Sequence, residues 1–183
     1  KYRKILQTAF IPNSVAKLEG RVREIVTEAL DAVSGGDRCD FVADVAVQIP
    51  LRTLMTLMGL PRDDEPFLTD WIEGIERATT ASEPASATEQ FVELAGYLGR
   101  QVAAQKDAGE DSLVTTLAEA EVDGERLTDE EILVFFGLLI FAGNDTTRNT
   151  MAGGMLALLE HPDQMDLLRA EPERIEGAVE EIL

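Results

Sequence analysis

Cysteine and histidine are scarce in this sequence, which has one of each, Cys39 and His161, among its 183 residues. A single cysteine excludes an internal disulfide framework and suits a reducing cytoplasm. No group of cysteine and histidine residues has the spacing of a zinc site. We interpret Cys39 as an ordinary thiol, and His161, which precedes a proline, as a turn residue or helix cap.

Basic residues are also few, with 16 Lys and Arg against 35 Asp and Glu, so that the formal net charge is −19. Nucleic acid is therefore excluded as a partner, because phosphate binding needs a basic patch. No apolar run reaches the ~18 residues of a membrane-spanning helix, so no membrane span is predicted. Alternating strand patterns and glycine-rich phosphate-binding motifs are absent as well.

The patterns that are present are helical. Apolar residues recur at helical spacing from Val15 to Val33, and paired glycines then end the helix. A further helix is predicted over Phe41 to Gln48, where Pro50 is expected to interfere. The fold is thus predicted to be predominantly α. Because the sequence begins and ends within helical patterns, we expect residues 1–183 to be an internal segment of a single domain, truncated at both ends.

The longest predicted helix runs from about residue 128 to residue 160, and the helical core is expected to form around it. Thr128 and Glu131 have the spacing of a capping box at its start. His161-Pro162 ends it, because a residue before proline avoids the helical region. A helix of about 33 residues would be roughly 50 Å long.

A polar segment interrupts the apolar pattern in the middle of this helix. Gly143 would let another group approach the backbone closely, and Thr146 can bond back to a carbonyl one turn earlier. Asp145 is costly among apolar residues unless it is paired or hydrated. Two interpretations stay open: a proton-handling acid beside an alcohol, where the helix opens to admit a ligand, or an Asp145 and Arg148 that face solvent or pair with neighbours.

The segment Ala142-Gly143-Asn144-Asp145-Thr146-Thr147 resembles the (Ala/Gly)-Gly-x-(Asp/Glu)-Thr-Thr motif of the cytochrome P-450 family. The sequence before it (Thr128-Asp129-Glu130-Glu131) and after it (Leu159-Glu160-His161-Pro162-Asp163-Gln164) resembles the flanks of that motif. Val179-Glu180-Glu181-Ile182-Leu183 is similar to the start of the family's Glu-x-x-Arg helix. Tyr2-Arg3-Lys4 is similar to an early helix of the family. The resemblance is collinear over essentially all 183 residues and is greatest to soluble bacterial members.

The resemblance implies a partial cytochrome P-450 fold and a fragment of a heme-thiolate monooxygenase. Such an enzyme hydroxylates an apolar organic substrate with dioxygen and two electrons from a ferredoxin-type donor. The resemblance assigns Ala142 and Gly143 to the place where the helix bulges over the heme. It assigns Asp145 and Thr146 to the delivery of protons to iron-bound oxygen, and a general acid with this task needs a path from solvent.

The resemblance also implies supporting roles. Arg3 matches the arginine that pairs with a heme propionate, Thr147 supports the motif, and Glu181 matches the structural glutamate of the Glu-x-x-Arg pair. Leu138 and Leu139 would line the substrate pocket or belong to the core. The family's axial cysteine lies in a Phe-x-x-Gly loop, which this sequence lacks. No metal ligand is therefore expected in this chain, and the chain alone is expected to be inactive.

Two alternatives remain from the residues alone. One is an α-helical small-ligand-binding module, such as the effector domain of a regulator, in which Asp145 and Thr146 hold a polar ligand group. The other is a helical interaction scaffold without a small ligand.

Overall fold

The computed structural model describes residues 12–82, 84–109, 112–119, 121–122 and 125–183. The described helices, in chain order, are α1 (Pro12–Val33), a π-helical turn (Val42–Ala46), α2 (Gln48–Met58), a 3-10 turn (Arg62–Asp64), α3 (Glu65–Thr80), α4 (Pro84–Ala108), α5 (Leu113–Glu119), α6 (Asp129–Glu160), α7 (Pro162–Ala170), a 3-10 turn (Pro172–Arg174) and α8 (Ile175–Ile182). Two two-residue strands, β1 (Glu121–Val122) and β2 (Glu125–Arg126), form an antiparallel pair before α6. The prediction of a predominantly α fold is confirmed.

Helix α6 is the long central helix that the sequence predicts, with 32 residues. Its start is fixed by a capping box: the backbone N–H of Glu131 donates to Thr128 Oγ1 at 3.2 Å, and the backbone N–H of Thr128 donates to Glu131 Oε2 at 2.8 Å. These two bonds satisfy donors that the first turn of a helix otherwise leaves unpaired. The helix ends at Glu160, and His161 is its C-cap.

Two hydrophobic clusters lie against α6, and together they hold it in the middle of the structure. The smaller cluster joins α1, the π-helical turn and α2, and Met151 of α6 packs against it. The larger cluster is made by apolar side chains of α2, α3, α4, α5 and the first half of α6. Its buried members are Leu51, Met55, Met58, Leu60, Leu68, Trp71, Ile72, Ile75, Leu94, Tyr97, Leu98, Leu113, Val114, Leu117, Leu127, Ile132, Phe135, Phe136 and Ile140.

The segment predicted as a helix over Phe41 to Gln48 is not a continuous α-helix: Val42–Ala46 is a π-helical turn and α2 begins at Gln48, in line with the expected interference of Pro50. Pro50 itself does not break α2. It is the third residue of α2, where a missing N–H costs little because first-turn donors have no intrahelical acceptor. The preceding turn is π-helical, with the N–H of Val47 donating to the carbonyl of Val42 at 2.9 Å. This wider turn replaces the α-helical turn against which the proline ring would clash.

Helices α3 and α4 form a pair, and α3 carries Glu76, whose side chain contacts Arg148 of α6. Trp71 Nε1 donates to the carbonyl of Gln90 at 2.8 Å and ties the two helices together. The Tyr97 hydroxyl and Gln101 Nε2 both donate to Asp64 Oδ2, at 2.9 and 3.0 Å. Burial, and then the nearby Asp64 carboxylate, raise the pKa of Tyr97 above its ordinary value, so the hydroxyl keeps the proton that it donates.

Helices α6 and α8 approach each other closely at Gly154. A Cβ on Gly154 would lie 2.9 Å from Ile182 Cγ2, whereas a Cβ on Gly153 would meet no atom within 4 Å. The absence of a side chain at Gly154 thus allows α8 to pack on α6. Among the described residues, no helix is long and apolar enough to cross a membrane.

Candidate functional site

One face of α6 is open to solvent over three turns. Residues four positions apart fall on the same side of a helix, and the stripe of Val134, Leu138, Ala142 and Thr146 follows this spacing. All four residues are exposed, and Leu138 retains 61% of its accessible surface. We call these four residues the open stripe. It is apolar except for a single hydroxyl group at Thr146.

The helix backbone is continuous through the polar segment, so the expected opening or bulge is absent. Residues Asp129–Glu160 form one α-helix. The Thr146 hydroxyl donates to the carbonyl of Ala142 at 2.9 Å, and the Thr147 hydroxyl donates to the carbonyl of Gly143 at 3.1 Å. These bonds to carbonyls one turn earlier satisfy the threonine hydroxyls within the helix. The segment therefore interrupts the hydrophobic pattern and not the helix.

Gly143 lies beside the open stripe and not on it. A Cβ at this position would lie 3.2 Å from Leu54 Cδ1 of α2. The glycine therefore permits close approach of α2 to α6. The sequence predicted that some group would approach the backbone at Gly143, but it did not identify this group as Leu54. Of the two small residues that the resemblance assigned to a ligand contact, only Ala142 is exposed on the stripe.

Asp145 is paired on the flank of α6 that faces α3. Arg148 Nη2 lies 2.6 Å from Asp145 Oδ1, and Asn149 Nδ2 donates to the same oxygen at 3.1 Å. The other arm of the guanidinium, Arg148 Nη1, lies 2.8 Å from Glu76 Oε1 of α3. One of the two interpretations of Asp145 was that it pairs with neighbouring residues, and its contacts with Arg148 and Asn149 agree with that interpretation. The carboxylate is partly exposed, so pairing does not isolate it from solvent.

The remaining candidate residues are spread over the chain. Leu139 is half-buried and packs against the larger cluster, in contrast to its exposed neighbour Leu138. Thr147 is exposed on α6, and Glu181 is exposed on α8. Arg3 lies outside the described residues. The structure thus brings Leu138, Ala142, Asp145 and Thr146 together within two turns of one helix.

Two residues of this region were missed by sequence reasoning. Asn144 is fully buried, and neither its Oδ1 nor its Nδ2 atom has a hydrogen-bond partner in the described part of the chain. The helical spacing from Ile140, which is also buried, could have indicated its orientation. Glu76 carried no local signal, because it meets Arg148 only through the packing of α3 near α6.

Neither the cysteine nor the histidine lies on the open stripe. Cys39 is exposed in the loop after α1. His161 is at the end of α6, 15 residues after Thr146, which corresponds to about 22 Å along the helix. Within the described ranges, no group of three or more His, Cys, Asp or Glu residues is arranged to hold a metal ion.

A groove of about 840 Å³ lies beside the second half of α6, between this helix, α7 and α8. Its lining includes Gly153, Leu158, Leu167, Ala178 and Glu181. The groove starts at Asn149 and Thr150, one turn beyond Asp145 and Thr146, and no residue of the open stripe lines it.

Comparison with known proteins identifies relatives along the whole chain. The family model described as Cytochrome P450 matches residues 84–182. Cytochrome P450 CYP107DY1 of Priestia megaterium is 33% identical over 184 residues, which cover 100% of this chain and 45% of the relative. The steroid C26-monooxygenase of Rhodococcus jostii is 36% identical over 178 residues, covering 93% of this chain and 36% of the relative.

A solved structure shows the same fold. The structure of Mycobacterium marinum cytochrome P450 CYP268A2 in complex with pseudoionone superposes with a TM-score of 0.88 at 34% identity. The superposition covers 98% of this chain and 45% of that one. The chain therefore spans less than half the length of each of these three relatives. These matches favour the heme-enzyme resemblance over the two helical alternatives.

Proposed function

The chain belongs to the cytochrome P450 family, and we propose that it forms the distal part of a heme-thiolate monooxygenase that hydroxylates an apolar substrate. The observation that carries this proposal is the open stripe of α6, where a hydroxyl group and a paired carboxylate adjoin an exposed apolar surface. The activity belongs to a longer protein, of which this chain would be an internal segment.

The open stripe fits one face of a heme. A flat macrocycle needs an apolar surface with small side chains, and the stripe offers the methyl group of Ala142 between Leu138 and Thr146 without a charged residue. When bound, the heme supplies the activation of dioxygen and the oxidising chemistry. Cys39 lies in the loop after α1 and His161 lies at the C-terminal end of α6, and neither is on the open stripe. We therefore assign the axial thiolate to a segment outside these 183 residues. Arg3 is proposed to pair with a heme propionate.

Thr146 is proposed to orient a proton donor over the stripe. Its hydroxyl proton is engaged with the carbonyl of Ala142, so Oγ1 presents its lone pairs as acceptors. An acceptor held by the helix in this way accepts a hydrogen bond from a water molecule or from another protonated group that lies on the stripe. The helix thus holds the Thr146 side chain in place, and Thr146 would hold the proton donor over the stripe.

Asp145 is proposed to take up protons from solvent and pass them toward Thr146 through water. The carboxylate is next to Thr146 in sequence and partly exposed on the flank of the helix. A side chain that both meets solvent and adjoins the reacting region has the position that general acid catalysis requires. Gly143 and Thr147 would support the helix and not the proton path, the glycine by admitting Leu54 and the threonine by donating to the carbonyl of Gly143.

An apolar substrate is supported by the exposed side chains of Val134 and Leu138. Leu138 is proposed to contact the substrate, and Leu139 to support the wall from the core side. One relative is named for a steroid and the solved relative holds pseudoionone, and these names are consistent with an apolar substrate class.

The proposal includes a ferredoxin-type electron donor and a cytoplasmic location. This donor is proposed to supply the two electrons that the hydroxylation needs. The cytoplasmic location rests on the low cysteine content. Glu181 is proposed to have the structural role of the first residue of a Glu-x-x-Arg pair.

The test uses the complete reading frame that contains this chain. We expect the reduced, carbon-monoxide-bound protein to show the Soret band of a thiolate-bound heme. Thr146→Ala should then uncouple the enzyme, lowering product formed per dioxygen consumed by about 100-fold, the lower end of what general acid–base catalysis contributes. Hydrogen peroxide should rise correspondingly.

Thr147→Ala is the matched control, because it removes the same hydroxyl group from the next residue, where the bond goes to the carbonyl of Gly143. This variant should remain coupled. A protein without the thiolate-heme spectrum would refute the proposed function. Equal coupling in Thr146→Ala and the parent enzyme would refute the role of Thr146.

A further inference from the structure

Arg148 connects the candidate proton donor to a different helix. One guanidinium nitrogen lies 2.6 Å from Asp145 Oδ1 and the other terminal nitrogen lies 2.8 Å from Glu76 Oε1. The Arg148 side chain is only 18% exposed, and the Oε1 atom of Glu76 is inaccessible to solvent. The bridge is therefore shielded from solvent more than an ordinary surface ion pair, and salt should screen it less.

Of the two contacts, only the one to Asp145 has hydrogen-bond geometry. The contact to Glu76 is an ion pair at 2.8 Å, because Glu76 Oε1 has no hydrogen-bond partner among the described residues. With one terminal nitrogen on each carboxylate, Arg148 does not engage Asp145 with both nitrogens at once. Its positive charge also acts on two carboxylates instead of one. Glu76 thus limits how firmly Arg148 holds Asp145, both in geometry and in charge.

We propose that Glu76 of α3 is a positioning residue for Asp145 and acts on it through Arg148. This inference rests on the proposed function, since it concerns how readily Asp145 takes up and releases its proton. Glu76 itself touches neither Thr146 nor the open stripe in the hydrogen bonds and ion pairs of the described residues. Its role is to keep one terminal nitrogen of Arg148 at α3, while the other terminal nitrogen contacts Asp145.

Neutralising Glu76 should make Asp145 a poorer proton relay. In Glu76→Gln, the guanidinium loses its ion pair to α3, so both terminal nitrogens of Arg148 can turn to Asp145 and leave its carboxylate less accessible to a relaying water molecule. We expect the coupled turnover number to fall about three- to tenfold, less than the loss of about 100-fold expected when a general acid is removed altogether. The solvent deuterium isotope effect on turnover should rise. The KM for substrate should be unchanged, because the open stripe is intact.

A second measurement does not depend on activity. Hydrogen–deuterium exchange of the holoenzyme should become faster in the backbone amides of the second half of α3, because Glu76→Gln weakens its link to α6. The reduced, carbon-monoxide-bound spectrum should remain that of the parent enzyme and so report an intact fold and heme.

Glu73 offers a matched control one turn earlier on the same helix. It pairs with Arg77 at 3.3 Å, and both side chains are largely exposed, so Glu73→Gln removes the same charge without touching the bridge. We expect parent-like turnover, isotope effect and exchange in this variant.

The results separate the two proposals. The inference is supported if Glu76→Gln alone raises the isotope effect and the exchange of α3. It is overturned if Glu76→Gln and Glu73→Gln behave alike, or if exchange rises without any change in the isotope effect, which would give Glu76 a structural role only. If Thr146→Ala uncouples the enzyme in the same preparation, such a result leaves the proposed function standing.

Discussion

Asn144 and Thr146 are two positions apart on α6 and have opposite surroundings. Asn144 is 0% exposed and its amide has no hydrogen-bond partner within the described residues, whereas Thr146 is exposed and its hydroxyl donates to Ala142. Two steps along an α-helix turn a side chain through about 200°. A continuous helix thus sends neighbouring polar residues of one short motif to the core and to the open stripe.

The difference divides the motif into a packed face and an exposed face, and the proposed function assigns the chemistry to the exposed face. On the core side, Gly143 admits Leu54 and lets α2 approach α6. On the open side, Ala142 and Thr146 present a methyl group and a hydroxyl group to solvent. Packing energy should therefore depend on one face and chemistry on the other, and variants can be chosen to separate them.

The largest expected effect comes from shortening a core-face residue. Ile140 is 1% exposed within the larger cluster, so Ile140→Ala removes buried methyl groups and leaves a cavity. We expect the free energy of unfolding to fall by about 2–5 kcal/mol. Urea denaturation followed by the fluorescence of Trp71, the one tryptophan of the sequence, measures this loss.

Leu138→Ala is the control for that comparison, since Leu138 is close in size but lies on the open stripe. Its stability should change by less than about 0.5 kcal/mol, as for surface substitutions in general. Similar losses in the two variants would mean that the stripe is packed in solution and that the two faces do not differ as described.

The next effect concerns the crossing of α6 and α8. Gly154→Ala places a Cβ 2.9 Å from Ile182 Cγ2, and the resulting overpacking should cost about 1–3 kcal/mol. Gly153→Ala, with no atom within 4 Å of its new Cβ, should instead stabilise the helix by about 1 kcal/mol. Urea denaturation of both variants compares them directly. Stabilisation by both substitutions would show that α8 does not pack on Gly154.

Features fixed by neighbouring residues could be predicted from the sequence. The bounds of α6 follow from the Thr128–Glu131 capping box and from His161 before a proline, and both are found in the structure. The absence of long alternating patterns correctly predicted a helical fold. These signals are local because each depends on residues within one helical turn.

Features that depend on neighbouring elements could not be predicted. An interruption near Pro50 could be expected, but not its form, because the π-helical turn before α2 leaves no pattern in the sequence. The polar segment of α6 suggested an opening, yet a helix needs only backbone hydrogen bonds and tolerates polar residues that bond within the turn. The partner of Arg148 on α3 is determined by packing between helices far apart in sequence.

The smallest expected effect is a gain of stability on the core face. A buried amide without a partner costs about 1–3 kcal/mol, so Asn144→Leu, which replaces it with a branched apolar group, should raise the free energy of unfolding by about 1 kcal/mol after some cost of the larger volume. Asn149→Leu is the contrasting variant, because the exposed Asn149 amide donates to Asp145 Oδ1 at 3.1 Å, and losing this bond should cost about 0.5–1.5 kcal/mol. Asn144→Ala distinguishes steric conflict from a lost bond. If the free energy of unfolding falls by more than about 2 kcal/mol in both Asn144 variants, the amide must have a hydrogen-bond partner in the folded protein. Asn144 and Thr146 would then differ in burial but not in hydrogen bonding.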